Sequence, residues 1–193
     1  MSNSIGINPG GGVQKIPFTL FQNQIVSGDI SLDVETVLGF VNKTYVGTGV
    51  ATSITTNVDM TTQWGDDSSE KYGGLVWIKS RSEGTTNYTG DHFLFDTVRG
   101  ATKFIHSDLT DAEGTASTTL TAFNNDGFSL STSNGVNYSG DDFIAWNFQT
   151  THRTSGTTNH GKTYTCHYNP YTGFTIIKYE GSGTTLHEVP HHL

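Results

Sequence analysis

Cysteine and basic side chains are both scarce in this sequence, and each scarcity excludes a class of function. Cys166 is the only cysteine among 193 residues, so the chain cannot form an internal disulfide or a zinc site built from cysteines. We interpret it as a small buried apolar residue rather than a reactive thiol. Ten Lys and Arg residues stand against 18 Asp and Glu residues, which gives a formal net charge of −8. Because so acidic a chain offers little basic surface to phosphates, we expect no nucleic-acid partner.

Long apolar runs and known catalytic motifs are missing as well. No stretch approaches the roughly 20 apolar residues of a membrane-spanning helix, and the first residues lack the basic and apolar regions of a secretion signal. We therefore expect neither membrane insertion nor signal-directed export. The sequence contains no GxSxG elbow, phosphate-binding loop, HExxH helix or dinucleotide fingerprint. We predict a protein that is not an enzyme, with no catalytic residue and no cofactor.

Glycine and aromatic residues are plentiful instead. The chain has 23 Gly, 11 Phe and 8 Tyr, and only 15% of its residues are charged, a composition that favours short strands joined by turns over helices. Turn residues occur at Arg99–Gly100 and, as a hairpin signal, at Asn125–Gly127. The segments with strand-like alternation are 74–81, 92–99, 101–107, 119–125, 127–133 and 141–148. Together these features predict an all-β protein with a β-sandwich or jelly-roll fold.

A short repeat indicates where a domain begins. The stretch GFVNKTYVGTG (39–49) aligns without gaps to GFTIIKYEGSG (173–183), with five identical residues in eleven positions. Such self-similarity is typical of repeated domains, and both copies are interpreted as strand openings. Apolar residues at helical spacing over 34–41 compete with this interpretation, so any helix there has to end near Leu38.

The repeat leads to a prediction of three regions. Residues 39–172 are expected to form a β-sandwich domain, and residues 173–193 to begin a second, truncated repeat. Residues 1–38 include Pro9 and three consecutive glycines, so we expect an extended segment that serves attachment or assembly.

Polar side chains are concentrated in residues 91–108, which raises the question of a catalytic or metal site. On two adjacent antiparallel strands the pleat sends every second side chain outward, and this periodicity explains most of them. We expect Asp96 and Arg99 to pair near the strand junction. A glycoside hydrolase needs two carboxylates at a defined separation around one sugar ring, and no such pair stands out here.

Other candidate metal ligands have simpler interpretations. The pairs Asp66–Asp67 and Asp141–Asp142 suit either turns or calcium ligation, but no loop with spaced oxygen ligands surrounds them. His187, His191 and His192 lack further ligands nearby in the sequence, so a structural role in a loop is the better interpretation. We predict no metal site.

The aromatic residues divide into strand and loop positions. Trp77 and Trp146 lie within apolar strands, and we predict that both belong to the core rather than to a sugar-binding surface. The loop tyrosines Tyr72, Tyr88 and Tyr138 are predicted contacts for a glycan or a protein partner, because loops carry binding more often than frameworks do.

Several ordered motifs carry a resemblance to a known family. They are YVGTG (45–49), LVWIKSR (75–81), LFDTVRGATK (94–103), FNNDGF (123–128) and SGDDFIAW (139–146). With them the chain resembles, over about residues 39–193, a β-sandwich domain that occurs, often in tandem, in tail-fibre and other virion proteins of bacteriophages. The family tends to have a Pro before its LVWIK strand, whereas this chain has WGDDSSEKYGG (64–74), so the resemblance does not extend to that loop.

The resemblance implies a concanavalin-like jelly roll and a structural or receptor-facing role in a virion. It supplies no catalytic residues. We therefore predict a virion structural protein, the N-terminal part of a tail fibre or adsorption appendage that docks on other virion proteins. The alternatives are a carbohydrate-binding module for a host-surface glycan, or a glycan depolymerase on the same fold.

Assembly is expected to involve the N-terminal segment and open sheet edges. Apolar residues without a domain of their own need a neighbour in which to be buried, which predicts a homo-oligomer. The resemblance to fibres implies a trimer. The predicted assembly residues are Ile16, Phe18, Leu20, Phe21 and Ile25.

Overall fold

The computed structural model describes residues 39–61, 73–82 and 90–193, and most of their regular structure is strand. The strands are β1 (Phe40–Val46), β2 (Thr52–Thr55), β3 (Gly73–Ser80), β4 (Phe93–Asp96), β5 (Lys103–His106), β6 (Gly114–Thr115), β7 (Leu120–Asn124), β8 (Gly127–Leu130), β9 (Asp142–Thr150), β10 (His152–Thr157), β11 (Thr163–Asn169) and β12 (Phe174–Tyr179). A single helical turn, α1 (Asn134–Asn137), lies between β8 and β9. In this part of the chain no helix is long and apolar enough to cross a membrane.

A six-stranded antiparallel sheet has the strand order β1-β9-β3-β4-β5-β6. Alternation along its central strands gives two distinct faces, because successive side chains point to opposite sides. Val76 and Ile78 of β3 are fully buried on the inner face, whereas Leu75 and Trp77 are half-buried on the other. We call this second face the outer face. Its apolar residues include Leu75, Trp77, Leu94, Ile105, Trp146 and Phe148, paired across neighbouring strands.

A three-stranded sheet with the order β2-β8-β7 covers the inner face. The hydrophobic core lies between the two sheets and includes Phe95 and Phe143 from the first sheet and Ile54, Phe128 and Leu130 from the second. This packing of antiparallel sheets confirms the predicted all-β sandwich. The extended N-terminal segment of that prediction lies outside the described residues.

A third sheet, with the order β10-β11-β12, packs against the outer face. Its contact is aromatic, since the Phe174 ring at the start of β12 stacks on the Phe148 ring of β9 with 5.0 Å between centroids. The third sheet therefore covers part of the outer face, next to Phe148.

Both turns predicted from the sequence are confirmed. β7 ends at Asn124 and β8 begins at Gly127, whose φ is 151°. A Cβ at Gly127 would lie 2.0 Å from the Ile54 carbonyl oxygen, so only glycine fits this approach. The turn from β4 to β5 contains Gly100, with a φ of 94°.

The two copies of the repeat both open strands, as predicted. β1 begins directly after Gly39 and β12 directly after Gly173. Phe40 and Phe174, the equivalent aromatic residues, both contact the ring of Phe148, at 4.8 and 5.0 Å between centroids. β12 pairs with β11 along its whole length, and the described residues from Gly39 onward belong to one compact unit. That a further repeat begins at residue 173 stays a prediction.

Candidate functional site

The charged residues at the end of β4 serve the strand junction. The Asp96 and Arg99 side chains are only 7% and 9% exposed and form an ion pair, which confirms the predicted pairing. The Asp96 carboxylate also accepts hydrogen bonds from the backbone N–H groups of Val98 (3.0 Å) and Arg99 (2.8 Å). Arg99 Nη2 donates to the carbonyl oxygen of Leu94 at 2.7 Å. Both charges are thus committed to holding the turn.

The second half of the 91–108 cluster is also held by internal hydrogen bonds. Asp108 Oδ1 accepts from the backbone N–H of His92 at 3.0 Å, and His106 Nδ1 lies 3.0 Å from the His92 carbonyl oxygen. Desolvation acts to raise the pKa of Asp108, but the N–H groups of His92 and Asp108 and the nearby imidazoles outweigh it, and the pKa lies below its usual value. No feature here resembles an acid poised to donate a proton at neutral pH.

The C-terminal histidines tie the last residues to the third sheet. His187 Nε2 lies 2.9 Å from Thr158 Oγ1, and the His192 ring stacks on Tyr164 and Tyr168. Among residues 39–61, 73–82 and 90–193, no three His, Cys, Asp or Glu side chains are grouped so as to hold a metal ion. These histidines are structural contacts of the C-terminal segment.

Cys166, in the same sheet, is fully buried, as predicted from its residue type. Burial raises the pKa of its thiol, although a hydrogen bond with Thr175 acts in the opposite direction. A thiol in this environment is a poor nucleophile.

His167 is a buried base that the sequence did not reveal. Its Nδ1 lies 2.9 Å from Thr97 Oγ1, which also accepts a hydrogen bond from the backbone N–H of Gly74 at 3.0 Å. Burial lowers the pKa of His167 to about 4; nearby Asp96 opposes this shift and Arg153 adds to it. His167 is therefore neutral at pH 7 and joins the third sheet to the β4–β5 turn.

The tryptophan prediction was wrong. Trp77 and Trp146 lie on the outer face rather than in the core, and both are half-buried. Their rings meet edge to face with 5.3 Å between centroids, and Trp77 Nε1 donates to His92 Nδ1 at 2.8 Å. The prediction rested on the apolar character of β3 and β9, but alternation in these strands separates two apolar faces without indicating which one the second sheet covers.

Most of the other predicted contact residues lie outside the described residues. Tyr72 and Tyr88 do so, and so do Ile16, Phe18, Leu20, Phe21 and Ile25. Tyr138 is described, follows α1 and is 37% exposed. It is the one predicted tyrosine contact whose surroundings the structure describes.

An open cleft of about 410 Å³ separates the outer face from β12. Leu75, Leu94 and Ile105 of the outer face line it, and so do Phe174, Ile176 and Lys178 of β12. Asp96 and Arg99 also reach the cleft from the β4–β5 turn. It thus combines apolar surface with cationic groups, a common composition of small-molecule sites.

Among the residues that the structure describes, β1 forms an edge of the six-stranded sheet with no strand beyond it. Gly47 N donates to Asp141 O at 2.8 Å and Gln149 N donates to Gly39 O at 3.0 Å, so the odd-numbered residues of β1 bond to β9. The backbone groups of Phe40, Asn42, Thr44 and Val46 therefore point away from β9, and no described residue pairs with them. Phe40, Val46 and Val50 are 48%, 58% and 61% exposed. We call this edge, with Val50, the open side.

Comparison with known proteins identifies a family without an assigned activity. No curated protein and no solved structure is significantly similar to this chain. One family model, described as a domain of unknown function (DUF7483), matches residues 39–193. These residues include every strand described above and make up most of the chain. The chain therefore belongs to the DUF7483 family of domains of unknown function.

Proposed function

We propose that this chain is a non-catalytic structural component of a bacteriophage virion, the N-terminal part of a tail fibre or adsorption appendage that contacts other virion proteins and supports host recognition. The observation that carries the proposal is the open side. It is a seven-residue edge strand flanked by exposed apolar side chains, and such an edge favours pairing with another polypeptide.

The opposite edge of the same sheet, formed by β6, lacks the features that favour pairing on the open side. β6 has only two residues, and the chain before it carries Asp108, Asp111 and Glu113. Short edge strands and nearby charges are the usual means by which proteins prevent unwanted pairing. On β1 the only charge is Lys43. The β6 edge is therefore protected against pairing, whereas no described strand covers the β1 edge.

The motifs that carry the resemblance to phage virion proteins occupy structural positions. LVWIK lies on β3, LFD on β4 and FIAW on β9, while DGF forms the turn into β8. A domain whose recognisable residues build the sheet and its turns, with no cluster of reactive side chains among the described residues, fits a scaffold better than an enzyme.

Mass spectrometry of purified phage particles from a host that carries the gene would test the virion assignment. We expect peptides from residues 39–193 to sediment with infectious particles through a density gradient. Detection of the chain in the lysate but not in the particles would contradict the assignment.

A carbohydrate-binding module is the second candidate function, and the tryptophan pair favours it. Trp77 and Trp146 present half-buried rings on the outer face, and indole rings stack on sugar rings. A glycan array probed with the wild-type chain and with Trp146→Ala would test it. Binding that is lost in the variant, without release of reducing ends, would favour a binding module, whereas released reducing ends would favour the depolymerase alternative.

A further inference from the structure

The cleft between the outer face and β12 has an excess of positive charge. Asp96 and Arg99 both line it, but the Asp96 oxygens already accept from Val98 N, Arg99 N and Arg99 Nε. That pair is close to neutral. Lys178, an exposed residue on β12, adds a cation that forms no ion pair with a described residue.

Arg99 also has an unused hydrogen-bond donor. Its side chain is only 9% exposed, and Nη1 is buried without a hydrogen bond to any residue that the structure describes. A buried donor left unpaired destabilises the folded state, and more so when the group is charged. A ligand that brings an acceptor oxygen to this guanidinium, with a small shift of the side chain, would recover part of that cost.

Most of the remaining lining is apolar. Leu75, Leu94 and Ile105 lie on one side, and Phe174 and Ile176 on the other. Sites for small molecules are mostly apolar, with a few polar groups that fix orientation, and range over roughly 300–1,000 Å³. A cleft of about 410 Å³ lies in that range.

From these observations we infer that the cleft binds a small molecule with an apolar body and a carboxylate. The apolar body packs between the outer face and β12, and the carboxylate lies between Arg99 and Lys178. A planar carboxylate has two acceptor oxygens, which suits a guanidinium better than a neutral hydroxyl does. This inference does not depend on the virion role, because it concerns a different surface from the open side.

Three probes with the same chain length separate charge from apolar character: octanoate, 1-octanol and octylammonium. NMR spectra of the full chain labelled on Ile, Leu and Val methyl groups would report binding. We expect octanoate to shift the methyl resonances of Ile105, Ile176 and Leu94 and to bind about tenfold more tightly than octylammonium. The buried Ile78 methyl is the internal reference for the fold, and the exposed Leu109 methyl, outside both the cleft and the open side, is the reference for non-specific adsorption.

Lys178→Glu is the matched variant, because Lys178 is exposed and its replacement leaves the core intact. We expect this variant to lose most of the preference for octanoate over octylammonium. Arg81→Glu makes the same charge change at an exposed residue just after β3, outside both the cleft and the open side, and should leave the preference unchanged. Equal shifts for all three probes, shifts as large at Leu109 as at Ile105, or no binding of octanoate at millimolar concentration would overturn the inference.

Discussion

At the scale of single residues, the buried charges of the 91–108 cluster stabilise a turn. Asp96 and Arg99 are almost completely removed from solvent, and each satisfies backbone groups as well as its partner. Removing one member of a buried ion pair leaves the other charge without compensation, which costs far more than the loss of an exposed pair.

Asp96→Asn should therefore lower the free energy of unfolding by about 3 kcal/mol. Adding Arg99→Met should recover part of the loss, because it removes the uncompensated charge. Glu180→Gln, which breaks the exposed pair with Lys162, should have a much smaller effect in the same urea titrations. If the Asp96 and Glu180 variants are equally stable, the Asp96–Arg99 ion pair does not stabilise the turn between β4 and β5.

The lowered pKa of His167 predicts how the free energy of unfolding depends on pH. Its pKa is about 4 in the folded chain, below the ordinary 6.5. As pH falls through 6.5 the unfolded chain takes up a proton that the folded chain does not, so the free energy of unfolding decreases between pH 6.5 and pH 4. The full effect is about 3 kcal/mol.

The test is to compare thermal unfolding of the wild-type chain and His167→Gln across that pH window. The variant should be less stable at pH 7 but lose less stability on acidification. Parallel pH profiles for the two chains would show that His167 is not buried in its neutral form.

At the scale of elements, sequence alternation predicted strands well and their environment poorly. All six predicted strands exist, because each combines apolar alternation with clear turn residues at its ends. Four others were missed: β2, β6, β10 and β11. β2 and β6 are very short, and TSIT (52–55) and HRTSGT (152–157) contain few apolar residues, so the periodic signal is weak even where pairing is regular.

The candidate sites were less predictable than the strands. The cleft combines residues of β3, β4 and β5 with residues of β12, which lie about 70 to 100 positions further along the chain. Its position depends on how the third sheet packs on the outer face, which local patterns do not encode. The Asp96–Arg99 pair was predictable because it is local, and His167 was not because its burial depends on the same long-range packing.

The two faces of β9 should respond differently to truncation. Phe143→Ala empties the core between the sheets and should cost about 3–5 kcal/mol. Trp146→Ala removes a half-buried ring from the outer face and should cost about 1–2 kcal/mol. Urea denaturation of both variants provides the measurement. A larger loss of unfolding free energy for Trp146→Ala than for Phe143→Ala would show that Trp146 belongs to the core.

The β7–β8 hairpin depends on one glycine. Gly127→Ala combines a positive φ with a clash against the Ile54 carbonyl oxygen, so we expect a loss of more than about 2 kcal/mol. Gly140 also has a positive φ but has open space at its Cβ position, so Gly140→Ala should cost about 1 kcal/mol. Equal melting temperatures for the two variants would contradict the predicted clash.

At the scale of the whole molecule, the two edges of the six-stranded sheet differ in strand length, charge and exposed apolar residues. One edge is short and flanked by acidic residues, while the open side presents backbone groups that no described residue pairs, beside exposed Phe40, Val46 and Val50. This asymmetry is what an assembly module needs, because it allows contact in one direction and prevents it in the other.

Light scattering of the full chain at micromolar concentration, with and without Val46→Lys, tests the assembly role most directly. We predict a homo-oligomer for the wild-type chain and dissociation in the variant, because the introduced charge would be buried at the contact. Leu186→Lys changes an equally apolar, exposed residue in the C-terminal segment and should leave the oligomer intact. A monomeric wild-type chain, or an oligomer that Val46→Lys does not weaken, would contradict the claim that the open side is the assembly surface.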